Sequence, residues 1–196
     1  MANSSSHHDH RIIDALLDAY PFNESTSILD SACGKGLISR GLAPHCGSIV
    51  AVDNNQASVD DFARRISNQG IPPEEMHVVC AQLEGNDSEL DGQKFDVVVC
   101  SAAYHHLESI PNTTRILAFF LKPGGHLLVV DFLTSAEPIP EDVPHKHGFD
   151  DDTIRAAFVG ANLADFGMER FATAKFHGKR VELFLARGTK KKVGYS

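Results

Sequence analysis

Ile28-Leu29-Asp30-Ser31-Ala32-Cys33-Gly34-Lys35-Gly36 is an apolar run of strand length that breaks into small residues and hands over to a helical pattern at Leu37 to Leu42. Small residues let a backbone approach a ligand closely. A helix that starts there turns unpaired N–H groups and the positive end of its dipole toward that ligand. Such a turn suits an anionic or polar cofactor, although a Gly-rich turn of this kind also serves purely structural ends. It lacks the Gly-Lys-Ser/Thr ending of a phosphate loop and is not the complete GxGxxG of dinucleotide binders.

Four further apolar runs follow, Ile49 to Asp53, His77 to Ala81, Phe95 to Ser101 and Leu127 to Phe132. Helical patterns at Val59 to Ile66 and Thr113 to Leu121 supply the crossovers that parallel neighbours need. A Pro-rich loop, Glu137 to Pro144, leads to a helix over Asp151 to Leu163, capped by Asp150 or Asp151, and then to strands near Arg170 to Phe176 and Val181 to Arg187. The turn His177-Gly178-Lys179 makes the last two an antiparallel hairpin. Near the N-terminus, Ile12, Ile13, Leu16, Leu17 and Tyr20 recur at helical spacing until Pro21. The pattern predicts an α/β fold on a mostly parallel sheet of seven strands.

A chain of 196 residues with 42% hydrophobic content builds one core, so a single domain over 1–196 is expected. A formal charge of -8 disfavours nucleic acid as a partner. Lys190, Lys191 and Lys192 form the one concentrated basic spot, read as a solvated tail. Cys33, Cys46, Cys80 and Cys100 show no CxxC spacing and read as reduced packing residues of a cytoplasmic protein. No apolar run reaches membrane-spanning length, so no membrane partner is expected, and a monomer and a homodimer both remain open.

Asp53 ends the second run about 20 residues after the turn, where an acidic side chain accepts the hydroxyl protons of a ribose; capping the next helix is its structural alternative. The run Leu29 to Gly36, the strand end Val50-Ala51-Val52-Asp53, Phe95-Asp96-Val97-Val98-Val99-Cys100-Ser101 and Leu121-Lys122-Pro123-Gly124-Gly125 together resemble class I S-adenosylmethionine-dependent methyltransferases, of the small-molecule kind similar to the ubiquinone and menaquinone group. The resemblance implies a Rossmann-like three-layer sandwich, with residues 25–135 as the cofactor-binding core. Residues 1–24 would form an N-terminal helix or lid, 136–190 the acceptor-side loop, last helix and hairpin, and 191–196 a tail. It also implies S-adenosylmethionine as cofactor and S-adenosylhomocysteine as product.

Carried over position by position, the resemblance makes Asp30 the partner of the methionine amino group. Ala32, Cys33, Gly34 and Gly36 become the backbone cradle, Asp53 the ribose ligand and Asn54 a neighbour of the adenine. Gln82 and Leu83 stand where the family often has an acidic residue facing the adenine amino group, and Ala32 replaces the first Gly of the usual GxGxG.

Ser101 and the segment Tyr104-His105-His106 resemble the part that faces the reacting sulfonium. Tyr104, His105 and His106 are therefore the catalytic candidates, with a histidine as the group that takes a proton from the acceptor. Packing or capping of the following helix is the alternative for each histidine. His145 and His147, in the loop after the fifth run, are acceptor-binding candidates. No metal is expected, because no carboxylate or cysteine stands at ligand spacing to these histidines. The absence of an added substrate domain, a basic groove or an Asn-Pro-Pro-Tyr-like motif favours a small-molecule acceptor. Two other readings keep the fold without methyl transfer: a regulatory S-adenosylmethionine-binding protein, and an enzyme of different natural-product chemistry.

Overall fold

Ile28 and Leu29 point to opposite faces of one strand, and each is fully buried in a different apolar cluster. That alternation sets the layering. The computed structural model describes residues 5–176 and 178–192, with side chains from His10 onward. The His7 and His8 side chains, the turn residue His177 and residues 193–196 of the tail lie outside this description.

Strand β1 (Ser27–Ser31) is central. Around it lie β2 (Ser48–Asp53), β3 (Met76–Cys80), β4 (Phe95–Ser101), β5 (Leu121–Phe132), β6 (Leu163–Phe176) and β7 (Lys179–Lys190) in the order β3-β2-β1-β4-β5-β7-β6. The first five run parallel, and β7 inserts antiparallel between β5 and β6. On the face that holds Ile28, Val97 and Val99 pack α1 (Ser5–Ala19), α2 (Leu37–Leu42) and α3 (Gln56–Asn68). On the face that holds Leu29, Val98 and Cys100 pack α4 (Ile110–Phe119) and α5 (Asp151–Gly160). This is the expected seven-stranded, Rossmann-like three-layer sandwich. Because β1 pairs with β2 on one side and β4 on the other, the chain reverses its winding direction there, opening a crevice at the carboxyl ends of the strands.

Several boundaries differ from the sequence reading. Strand β6 starts at Leu163, which the periodicity assigns to the helix; Asn162, at φ 59°, ends α5 in the left-handed region. Register shifts between Ala164 and Gly167 and between Arg170 and Ala172 break the two-residue alternation that would have marked the strand. Strand β5 likewise starts at Leu121, and the Lys-Pro-Gly-Gly segment lies within it beside a register shift against β4. Gly125 is required there: a Cβ would meet the carbonyl oxygens of Asp96 and Phe95 at 2.9 and 3.0 Å. Asp96 and Lys122 of the same motifs pair at 2.8 Å, and Asp96 also accepts from the Ser27 N–H, tying β1, β4 and β5 at the end of the sheet away from the crevice.

Asp150, not Asp151, caps α5, accepting from Thr153 N at 2.7 Å. Lys190 is not part of a solvated tail. It belongs to β7, and its ammonium donates to the carbonyls of Ala118 and Phe119 at the end of α4 and of Leu121 at the start of β5. Helix α1 buries Leu16 against α2 and reaches β6, where Arg11 donates to two carbonyls. All four cysteines are free, and Cys80 is exposed. Among the described residues no helix is long and apolar enough to cross a membrane.

Candidate functional site

A cleft of about 530 Å³ opens at the carboxyl ends of β1, β2, β3 and β4. Ala32, Asp53, Asn54, Gln82, Leu83 and His106 of the expected site residues line it. The turn after β1 is held in shape by local bonds. Cys33 N donates to Val52 O, Gly36 N to Cys33 O, and Gly34 N to Asp53 Oδ2 at 2.8 Å. Ala32, Gly34 and Gly36 all adopt left-handed φ angles of 57°, 53° and 74°. At Gly36 the requirement is also steric, because a Cβ would lie 2.1 Å from the Phe62 ring beneath it. A Cβ at Gly34 would meet nothing within 4 Å, so the backbone there faces open space.

Both Asp53 oxygens are oriented by backbone amides, Oδ2 by Gly34 N and Oδ1 by Asn55 N, each at 2.8 Å. A carboxylate oxygen has a second lone pair, so Asp53 keeps capacity for two donors from a bound ligand. Its helix-capping alternative goes to Asn55, which accepts from Ser58 N. Across the mouth, Asn54 Nδ2 donates to Gln82 Oε1 at 3.0 Å, joining the two polar residues expected near an adenine.

Asp30 is buried beneath α2, where its Oδ2 accepts from Ser39 Oγ at 2.5 Å and Ser39 N at 3.1 Å. Burial pushes its carboxyl up to about 6, the Ser39 donors pull it back, and the Asp53 charge adds to the rise. Asp30, Cys33, Gly34, Gly36 and Ser101 do not line the cleft, whereas their neighbours Ser31, Cys100 and Ala102 do. Ala102 turns the chain there with a left-handed φ of 52°.

The three catalytic candidates separate. Tyr104 is fully buried and does not reach the cleft. Thr114 spends its hydroxyl proton on Ile110 O, so the Tyr104 phenol donates to Thr114 Oγ1 at 3.1 Å, and burial drives the phenol well above its ordinary range. A neutral phenol committed in this way has a packing role. His105 is also buried, with Nδ1 3.0 Å from Asp131 Oδ1, whereas His106 is exposed on the cleft wall, its ring centroid 4.1 Å from that of His105. The loop after β5 closes on this turn: His145 N donates to His105 O, while the His145 ring packs on Phe149. His147 is held outward by Ser135 O, and neither His145 nor His147 lines the cleft.

Thr113, Ile116 and Leu117 of α4 form an apolar wall that periodicity reads only as core. Asp131 could have been noticed as one acid inside an apolar strand. Glu141, whose Oε2 lies 3.8 Å from His106 Nε2 and 4.0 Å from His105 Nε2, carries no such signal in the Pro-rich loop.

Comparison with known proteins gives this geometry a family. Residues 29–129 match the family described as a methyltransferase domain. An uncharacterized methyltransferase of Schizosaccharomyces pombe is 37% identical over 155 residues, covering 71% of this chain and 54% of that protein. A ubiquinone biosynthesis O-methyltransferase of Coxiella burnetii is 28% identical over 100 residues, covering 51% of this chain and 41% of the other. The chain thus spans about half the length of these curated relatives. A SAM dependent methyltransferase from Aquifex aeolicus has the same fold, with a TM-score of 0.67, 14% identity, and 90% of this chain and 88% of that one covered. With its core matched from the first strand to the fifth, the chain belongs to the methyltransferase domain family.

Proposed function

We propose that this chain transfers a methyl group from S-adenosylmethionine to a small-molecule acceptor. The observation that carries the reading is Asp53, fixed by two backbone amides at the rim of the cleft with lone pairs left for a ribose. The donor set fits the cofactor in three further respects. The turn presents open backbone at Gly34; Asn54, Gln82 and Leu83 line the cleft together; and Asp30 lies buried behind the turn. A volume of about 530 Å³ is of the size that holds a nucleoside-sized ligand.

When bound, S-adenosylmethionine supplies an electrophilic methyl group whose departure leaves a neutral thioether. The chain's own contribution is mainly positioning: Asp53 would hold the ribose and Asp30 the ammonium end of the donor, and the apolar wall of Ile116 and Leu117 would exclude water. What remains is removal of the acceptor's proton, for which His106 on the cleft wall, backed by His105, is the group within reach. His145 and His147 act at most through the loop that carries them. A cytoplasmic protein, monomeric or homodimeric, accords with this chemistry.

The test is incubation with methyl-labelled cofactor and a panel of small hydroxyl, amine and thiol acceptors. The reading expects S-adenosylhomocysteine and methylated product in equal amounts for at least one acceptor. Conversion of an acceptor without S-adenosylhomocysteine, or cofactor binding with no transfer to any acceptor class, would overturn it.

A further inference from the structure

The sequence gives no reason to expect a metal, because no carboxylate stands near the histidines along the chain. Folding removes that objection. The turn after β4 brings His105 and His106 together, and the loop after β5 returns Glu141 to them. One ligand atom from each of the three lies within 4.8 Å of the other two. Glu141 Oε2 is 4.0 Å from His105 Nε2 and 3.8 Å from His106 Nε2.

From the juxtaposition of His105, His106 and Glu141 at the acceptor end of the cleft, we propose that this chain binds one divalent transition-metal ion there. His105 supplies the observation that points to a ligand. Its side chain is 1% exposed, and its Nε2 is buried with no hydrogen-bond partner among the described residues. A buried imidazole nitrogen left in that state forfeits its hydration without compensation. Its other nitrogen is anchored, since Nδ1 lies 3.0 and 3.1 Å from the two oxygens of Asp131. The same carboxylate accepts from Phe132 N at 2.7 Å and from His105 N at 3.3 Å. Asp131 has no proton to give in this ring of donors, so Nδ1 carries the hydrogen and Nε2 presents its lone pair toward Glu141 and His106. A carboxylate behind a ligating histidine is the arrangement that orients the ring and raises its basicity toward a metal.

Two imidazoles and one carboxylate suit zinc, cobalt, iron or manganese, and three protein ligands leave at least one coordination position open. Ligand atoms about 2.0–2.1 Å from a tetrahedral zinc stand roughly 3.4 Å apart. The two His–Glu separations of 3.8 and 4.0 Å therefore need to close by about half an ångström, and the His105–His106 separation, within 4.8 Å, by about 1.4 Å at most. His106, with a side chain 51% exposed, can move toward Glu141 while Asp131 holds His105 still. With an ion bound the His106 lone pair is taken, and the ion replaces His106 as the group that acts on the acceptor: it would border the cleft and hold an acceptor oxygen, so that the proton leaves that oxygen more readily to solvent. That use of the ion rests on the methyl-transfer reading, but the binding of the ion does not.

The test is titration of the chelator-stripped full chain with cobalt(II), followed by its visible d–d absorption without S-adenosylmethionine, with S-adenosylmethionine titrated separately. His7, His8 and His10 are replaced by Ala throughout, because an N-terminal histidine cluster binds such ions by itself. The proposal expects one cobalt per chain with a tetrahedral or five-coordinate spectrum. It further expects at least a tenfold loss of affinity in both His106→Ala and Glu141→Gln, and roughly a 10- to 100-fold loss in Asp131→Asn. His106 and Glu141 are not core residues, so circular dichroism should show both variants folded, which keeps the comparison valid even if Asp131→Asn misfolds. No cobalt spectrum, or a spectrum and affinity unchanged in folded His106→Ala and Glu141→Gln, would overturn the proposal. Either result leaves the cofactor titration free to stand or fall separately.

Discussion

Replacing Asp30 by Asn separates what this residue does for stability from what it does for the cofactor. In the wild type the buried carboxyl titrates at about 6 rather than 3.8, chiefly through desolvation. The unfolded chain therefore loses this proton at lower pH than the folded one. Between about pH 4 and pH 6 the folded state holds more protons, so stability falls as pH rises through that window and the full penalty remains above it. At about 1.4 kcal/mol per pH unit the penalty is about 3 kcal/mol. An Asn amide oxygen can accept both Ser39 donors but does not titrate. Whatever fixed offset the amide brings, the stability of Asp30→Asn relative to wild type should rise by about 3 kcal/mol between pH 4 and pH 8. In a chain of this size that is a shift of roughly 6–12 °C in Tm. The assay is urea denaturation of both proteins across that range, with S-adenosylmethionine affinity measured in parallel. The variant should bind the cofactor at least tenfold more weakly at pH 8, and the wild type should itself weaken below about pH 6 as Asp30 takes up its proton. Parallel stability profiles would refute the burial penalty, and unchanged cofactor affinity would refute the ammonium contact.

Leu16→Ala, which opens a cavity where α1 meets α2, should cost about 2–5 kcal/mol in denaturant unfolding. It should leave cofactor affinity within about twofold, because α1 packs on the outer layer and none of its described side chains lines the cleft; a selective loss of affinity would instead mark the helix as a lid. Gly36→Ala forces a Cβ against Phe62 at a left-handed φ, so stability should fall by about 2 kcal/mol or more. Trimming the ring in the double variant Gly36→Ala, Phe62→Leu should recover part of that loss, and no recovery would place the strain in the backbone alone.

The sequence made the parallel strands legible because each alternates between two apolar layers, as Ile28 and Leu29 do, and because Asp53 closes its strand at the right distance from the Gly turn. Strand β6 was not legible before Arg170, since two register shifts break its alternation. Lys190 reads as tail because nothing local tells that three carbonyls between the end of α4 and the start of β5 await its ammonium. At the site, residues fixed by local turn geometry, such as Ala32, Asn54 and Gln82, fell where their neighbours along the chain put them. The Tyr104-His105-His106 run was legible as a place but not as a set of roles. A tight turn sends three adjacent side chains in different directions, and what each meets, Thr114, Asp131 or Glu141, comes from distant segments.

The most direct measurement is calorimetric titration of the purified chain with S-adenosylmethionine and S-adenosylhomocysteine, with Asp53→Ala as control and thermal unfolding to verify that the control is folded. A charged hydrogen bond to the ribose is worth about 1.5–3 kcal/mol, so both ligands should bind the wild type and lose roughly 10- to 150-fold in the folded control. Absence of binding to the wild type, or equal binding to both proteins, would contradict a cofactor site built around Asp53.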